Sequence, residues 1–188
     1  AQSGGEPTNV DGQWFDAVIP GYIEPEQFPL GTNRKDTLLY VGRMVDRKGI
    51  HTAMQIAAAV QMPLIMAGPG TPPPGAMHVG EVGPEQRAAL MGQARALLAP
   101  TAYIEPFGNV VIEAMAFGTP VITTDWGAFT ETVRQGVTGF RCRSLQDFVD
   151  AVHLVKHLDS VQIQEHALAR YSLDVVGKMY DDYFCRLS

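Results

Sequence analysis

The sequence predicts an α/β protein with a doubly wound parallel sheet, and three observations predict it. Short apolar runs of four or five residues recur along the chain, each followed by Gly, Pro or a polar turn. Segments with helical spacing separate them. The runs lack an apolar/polar alternation, as in strands that helices cover on both faces. Such sheets bind ligands beyond the carboxyl ends of their strands, so chemistry is sought in the loops that follow.

Taken in order, residues 1–16 read as a flexible lead-in or an artificial remnant, rich in Ser and Gly. Trp14 to Pro29 reads as a segment arriving from something upstream. The α/β domain is assigned to residues 17–170. Strands are expected at 37–41, 63–67, 76–79, 96–99 and 120–123, the third less clean because of His78. Helices are expected at 50–60, where Ile50, Met54, Ala57 and Ala58 share a face, and at 84–91, where Pro84 suits a first helical position. A further helix is expected at 110–117, after a Pro-Phe-Gly turn. Ser144 and Asp147 have the spacing of a capping box, opening a helix to about residue 158. A last helix fills 171–188, its regular part from Leu173 to Phe184. The run from Gly68 to Gly75, rich in Pro and Gly, must be a loop.

Composition narrows the function. The 188 residues are 46% hydrophobic and 18% charged, enough to bury a core. A net charge of -6 argues against nucleic-acid binding, which needs a broad basic face. No apolar run approaches the roughly 20 residues of a membrane-spanning helix, and the first residues do not have the form of a signal peptide. Two distant cysteines, Cys142 and Cys185, read as free thiols in a cytoplasmic protein.

Two loops carry chemistry. Gly42-Arg43-Met44-Val45-Asp46-Arg47-Lys48-Gly49 follows the first strand and precedes a helix. A single surface cation is usually just solvated, but here Arg43 and Lys48 stand where a helix amino end also attracts anions. At an effective dielectric near 20, each contact with a diphosphate would be worth roughly 4 kcal/mol before desolvation. The second loop runs from Glu105 through Gly108 into a helix containing Glu113. With that helix starting near Phe107, Glu113 lies roughly 9 Å along its axis. Asn109 and Glu113 share a face, with room for a ligand hydroxyl. The plain alternative is a solvated or Lys-paired Glu. Gly108 lets helix-start N–H groups approach a phosphate.

Here the sequence resembles the retaining glycosyltransferases of GT-B fold, in particular the large family 4 (glycosyltransferase group 1). Glu105 and Glu113 match that family's Glu-x7-Glu motif. Tyr40-Val41-Gly42-Arg43 with Lys48-Gly49, Met66-Ala67-Gly68, Gly118-Thr119-Pro120-Val121-Ile122 and Glu131-Thr132-Val133 with Gly136 to Phe140 are similar to it in the same order. The similarity covers residues 18–187. It implies a Rossmann-like domain, the carboxyl-terminal, donor-binding half of such an enzyme. The donor would be a nucleotide sugar, by the family's habits UDP-glucose, with no cofactor and no metal. Arg43 and Lys48 would hold and stabilise the leaving diphosphate, and Glu105 would stand beside the sugar. Glu113 would accept the ribose hydroxyls. Gly42, Gly108, Asn109 and Val110 would line phosphate and sugar, and Val79 to Val82 would lie near the base, with Val79 and Val82 counted as donor contacts. The acceptor domain would be missing, leaving the chain inactive by itself. The last helix, apolar through Tyr171, Val175, Val176, Met179, Tyr180, Tyr183 and Phe184, would pack on the domain or mediate self-association.

One departure is Asp125-Trp126-Gly127-Ala128, where the family has a smaller, Gly-rich turn. Trp126 either lines the cleft or packs locally. Other readings have less support. A non-catalytic nucleotide-binding module stays open. An NAD-binding oxidoreductase domain is disfavoured because Gly68-Pro69-Gly70 is followed by Pro73 rather than Gly. No Asp-x-Asp pair is present, and the histidines form no metal-ligand motif.

Overall fold

The computed structural model describes residues 17–31 and 33–187; the expected lead-in at residues 1–16 lies outside them. The elements run β1 (Leu38–Val41), α1 (Ile50–Ala59), β2 (Leu64–Ala67), β3 (Met77–His78), α2 (Pro84–Gln93), β4 (Ala96–Ala99), α3 (Asn109–Ala116), β5 (Val121–Thr124), α4 (Phe129–Thr132), β6 (Gly139–Cys142), α5 (Leu145–Leu154), α6 (Ser160–Tyr171) and α7 (Leu173–Leu187). Short 3-10 turns stand at Pro25–Gln27, Asp46–Lys48 and Val155–His157.

The sheet is all parallel, in the order β3-β2-β1-β4-β5-β6. Its apolar runs explain the two-sided burial. Leu38, Tyr40, Leu98 and Ile122 pack to one side with Ile56 of α1 and Phe148 and Val152 of α5. Leu39, Leu97 and Val121 pack to the other with Val111 and Met115 of α3 and Ile163 and Ala167 of α6. Every residue of β4 and β5 is buried. Burying one such Leu or Ile contributes roughly 1.5–3 kcal/mol, so the sequence leaves the strands no register in which one face is wet.

Several expectations need correction. The third strand shrinks to Met77–His78 at the sheet edge, where Met77 is exposed. β6, α4 and α6 were not expected. The capping box is present: Ser144 Oγ accepts from Asp147 N (3.2 Å) and the Asp147 carboxylate from Ser144 N (3.0 Å). Its helix, however, ends at Leu154 and continues only as the turn Val155–His157. The boundary drawn at residue 171 moves, because Tyr171 closes α6 and Ser172 is extended before α7. Ile23 N donates to Tyr171 O and Leu173 N to Ile23 O, both at 2.8 Å. The incoming segment is thereby tied to the α6–α7 corner. α7 packs through Val176, while Tyr183 is half-buried and Met179, Tyr180 and Phe184 remain exposed. Cys142 is buried in β6 and Cys185 exposed on α7.

Arg34 fixes the lower end of this framework. Its guanidinium donates to Thr119 Oγ1 (2.7 Å), Ala94 O (3.0 Å), Gly118 O (2.6 Å), Phe117 O (3.3 Å) and Ser160 Oγ (3.2 Å). It thus satisfies carbonyls that the ends of α2 and α3 leave without partners.

Candidate functional site

The strand order reverses between β1 and β4. The chain leaves these neighbouring strands in opposite directions, and the loops that follow part to form a crevice. A cavity of about 500 Å³ opens there. Gly42, Arg43 and Lys48 line it from the loop after β1, and Glu105, Gly108, Asn109, Val110 and Glu113 from the loop after β4 and from α3. Eight of the ten residues singled out in the sequence therefore meet around one cavity. Val79 and Val82 are not among its lining residues; they follow β3 at the sheet edge, where Val79 is 40% exposed.

The cationic loop is held by its own backbone. Tyr40 is buried and its hydroxyl donates to Arg43 O at 2.9 Å, closing the turn through Gly42. Burial, with the nearby Tyr103 and Glu105, pushes the Tyr40 hydroxyl well above the usual phenol range. Gly49 has φ 78°, and a Cβ there would stand 1.9 Å from Pro100 O. Only Gly permits this turn to lie against the segment leaving β4. That approach brings Lys48 Nζ to 2.7 Å from Glu105 Oε2. Arg43 remains exposed at the mouth.

The opposite wall carries the carboxylates. Glu105 is 7% exposed, and besides Lys48 its Oε2 accepts from the Tyr103 hydroxyl at 2.5 Å. Burial alone would pull the Lys48 ammonium down. Its bonds to Glu105 and Tyr103 outweigh that and hold it above the ordinary lysine value, so it stays charged. Glu113 stands one helical turn into α3, with Oε2 3.5 Å from Arg87 Nη1. Desolvation raises its pKa, and the Arg87 charge offsets only part of this. Gly108, at φ 80°, turns the chain into α3, where an added Cβ would meet the Phe129 ring at 2.7 Å. Asn109 and Val110, the first residues of α3, line the cavity, so the amino end of that helix lies at it.

Sequence reasoning missed Arg87 and Tyr103, and placed Tyr40 in the first strand and the family-like run without foreseeing its hydroxyl's bond to Arg43 O. Arg87 reaches the cavity from α2, and nothing local in the sequence marks it. Trp126 packs locally, its Nε1 donating to Tyr103 O at 3.1 Å. His153 and His157 are exposed. Among the described residues no group of three His, Cys, Asp or Glu is placed to hold a metal ion, and no helix is long and apolar enough to cross a membrane.

A doubly wound parallel sheet with cations and carboxylates gathered at its switch point defines an α/β domain of the kind that binds ligands in that crevice. Comparison makes the class definite: residues 35–157 match the family model of glycosyl transferases group 1, and the chain belongs to that family. It is 33% identical over 147 residues to the glycogen synthase of Mycobacterium tuberculosis strain H37Rv, covering 66% of this chain and 35% of that protein. It is 34% identical over 102 residues to the phosphatidyl-myo-inositol mannosyltransferase of Mycobacterium leprae, covering 54% and 24%. Among solved structures, AviGT4, a glycosyltransferase involved in avilamycin A biosynthesis, superposes with a TM-score of 0.77 at 26% identity. That match covers 88% of this chain and 57% of AviGT4. Anabaena Alr3699/HepE, solved with UDP and glucose, gives a TM-score of 0.77 at 17% identity, a likeness of fold, over 90% and 56%. The chain thus has the Rossmann-like fold of one half of a GT-B enzyme. It spans about a third of the glycogen synthase and a little over half of each of these two solved chains.

Proposed function

We propose that the chain is the donor-binding half of a retaining glycosyltransferase that works without a metal, taking a UDP-sugar, by preference UDP-glucose. The observation that carries this reading is the cavity at the switch point, with Arg43 and Lys48 on one wall and Glu105 and Glu113 on the other. A diphosphate lies against the two cations and the amino end of α3, which together neutralise the leaving group. Glu113, shielded from water, accepts the ribose hydroxyls, and a carboxylate placed there gains charge-assisted hydrogen bonds. Glu105 lies beside the sugar, and the sugar keeps its anomeric configuration on transfer. The Anabaena neighbour's complexes with UDP-glucose and with UDP and glucose support the donor class.

The acceptor half lies in the remainder of a longer protein, and the present chain by itself transfers no sugar. Orienting two substrates across a closed cleft supplies roughly 7–11 kcal/mol of barrier reduction, which one wall cannot provide. The exposed Met179, Tyr180 and Phe184 of α7 are covered by that remainder or by a second copy. The cytoplasm is the setting of this reading.

Calorimetric titration of uridine, UDP and UDP-glucose tests the site. Glu113→Ala weakens all three about ten- to a hundredfold. Glu105→Ala weakens only UDP-glucose, whereas Arg43→Ala and Lys48→Ala weaken UDP and UDP-glucose but spare uridine. Equal, small effects of every variant on every ligand would defeat the assignment. A non-catalytic nucleotide-binding module would show the same binding pattern, and restored transfer by the longer protein excludes it. NAD binding with no UDP binding would favour the oxidoreductase reading.

A further inference from the structure

The pair Lys48–Glu105 poses a problem that the donor-site reading leaves unsolved. Lys48 is to hold the diphosphate and Glu105 the sugar, yet in the ligand-free chain they hold each other at 2.7 Å. An ammonium is a single mobile charge on a flexible stem. When a diphosphate draws Lys48 toward itself, a carboxylate that depends on Lys48 alone loses its anchor.

We propose that Tyr103 is the positioning residue that keeps Glu105 in place while Lys48 turns to the diphosphate. The inference rests on the donor-site reading above. Tyr103 is half-buried and is not among the residues lining the cavity, so it acts from behind the pair. Its hydroxyl donates to Glu105 Oε2 at 2.5 Å, the same oxygen that Lys48 meets. No described residue donates to Oε1. Both anchors therefore fall on one oxygen, and the other stays available for a sugar hydroxyl. The Tyr103 ring also carries the cations: Lys48 Nζ lies 5.0 Å from its centroid and Arg47 Cζ 5.6 Å. A ring face at that distance keeps an attraction on the ammonium over a range of positions, so Lys48 can move without leaving the site.

The backbone beneath is fixed as well. Trp126 Nε1 donates to Tyr103 O at 3.1 Å, and Ala128 N to Glu105 O at 3.0 Å. Gly127 makes this possible, since a Cβ there would stand 2.8 Å from Glu105 O. The Asp125–Ala128 turn, which departs from the family's smaller turn, thus holds the ends of the Tyr103–Glu105 segment.

The test uses the 188-residue chain, its Tyr103→Phe and Glu105→Ala variants, and the double variant, each titrated with UDP and with UDP-glucose. Phe keeps the ring and its packing and removes only the hydroxyl. Tyr103→Phe is expected to weaken UDP-glucose about tenfold and UDP by no more than about twofold. In the Glu105→Ala background the same change is expected to cost nothing further, because Tyr103 acts through Glu105. A structural role would weaken both ligands alike. That result overturns the proposal, as does an unchanged UDP-glucose affinity or a tenfold loss that persists without Glu105. If Glu105→Ala discriminates the ligands and Tyr103→Phe does not, the Tyr103 role alone fails. If Glu105→Ala does not discriminate either, the donor-site reading fails and takes this inference with it.

Discussion

Gly49→Ala is the substitution most damaging for its size. Gly49 combines a left-handed backbone with direct contact between the two loops of the site. Giving that backbone a side chain costs roughly 1–2 kcal/mol. The added Cβ would also stand 1.9 Å from the Pro100 carbonyl oxygen. This is backbone against backbone, so no side chain can swing away, and the loops must part by about 1 Å. Forcing atoms into a filled region costs roughly 1–3 kcal/mol more. The sum, roughly 2–5 kcal/mol, lowers the melting midpoint of a chain this long by roughly 4–20 °C. Gly136→Ala is the control, since Gly136 has φ 71° with nothing within 4 Å of its Cβ position. It should show the backbone term alone. The parting of the loops also separates Lys48 from Glu105, so Gly49→Ala should weaken UDP as well. Thermal melts and UDP titration of both variants check the reasoning. Equal melting losses in the two variants, or undiminished UDP affinity in Gly49→Ala, would refute it.

Three further outcomes are expected. Burial raises the Glu113 pKa above its unfolded value, so the folded chain holds that proton more tightly and stability falls as pH rises through the carboxylate range. Glu113→Gln should therefore melt higher than the unsubstituted chain at pH 7 without ligand, an advantage that vanishes at acid pH, while binding nucleotide more weakly; melts across pH decide it. The Cys142 thiol is pushed up to about 12 by burial and by the charges of Asp147, Asp125 and Asp150, so the folded chain keeps its proton while an unfolded thiol ionises near 9. Stability should decline between these values, and Cys142→Ala should flatten that alkaline slope in denaturant titrations even though it lowers stability overall. Arg34→Lys should lose most of what Arg34→Ala loses, about 2–4 kcal/mol by denaturant unfolding, because an ammonium cannot serve carbonyls of two helix ends at once.

Much of this architecture was written in local pattern, and the omissions have physical reasons. Four of the six strands were predicted to within a residue because each is apolar on both faces. β6 was missed because Gly139-Phe140-Arg141-Cys142 breaks that pattern: it is an edge strand, and Arg141 is held by Asp125 at 3.5 Å and by Thr130 O at 2.9 Å. α6 was missed because only Ile163, Ala167 and Tyr171 are buried among Gln, Glu, His and Arg. Their four-residue spacing, after Asp159 as cap, is the signal that would have revealed it. Arg43 and Lys48 were legible from their place after a strand and before a helix, whereas Glu105 and Glu113 stood out through the resemblance to the Glu-x7-Glu motif. Arg87 was not legible, since it matters through Glu113, which the fold brings to it from another helix. Tyr103 was not, since neither its bond to Glu105 two residues on nor the lysine over its ring follows from a local pattern. Tyr103 lies 55 residues beyond the lysine its ring faces.

Lys48 and Glu105 meet only because β1 and β4 are neighbours, although α1, β2, β3 and α2 intervene in the chain. The register between those two strands consists of Leu38↔Ala96 and Leu39↔Leu97. Neither loop alone therefore carries the site, and a nascent chain cannot capture a ligand between the two before β4 has been made and has slotted in beside β1. A ligand that bridges the two loops acts as a clasp on the central seam of the sheet. At a hundred times its dissociation constant it would add about 2.7 kcal/mol to the stability of the whole domain rather than of one loop. Two fragments divided between β3 and α2 should for the same reason find each other more readily when that ligand is present.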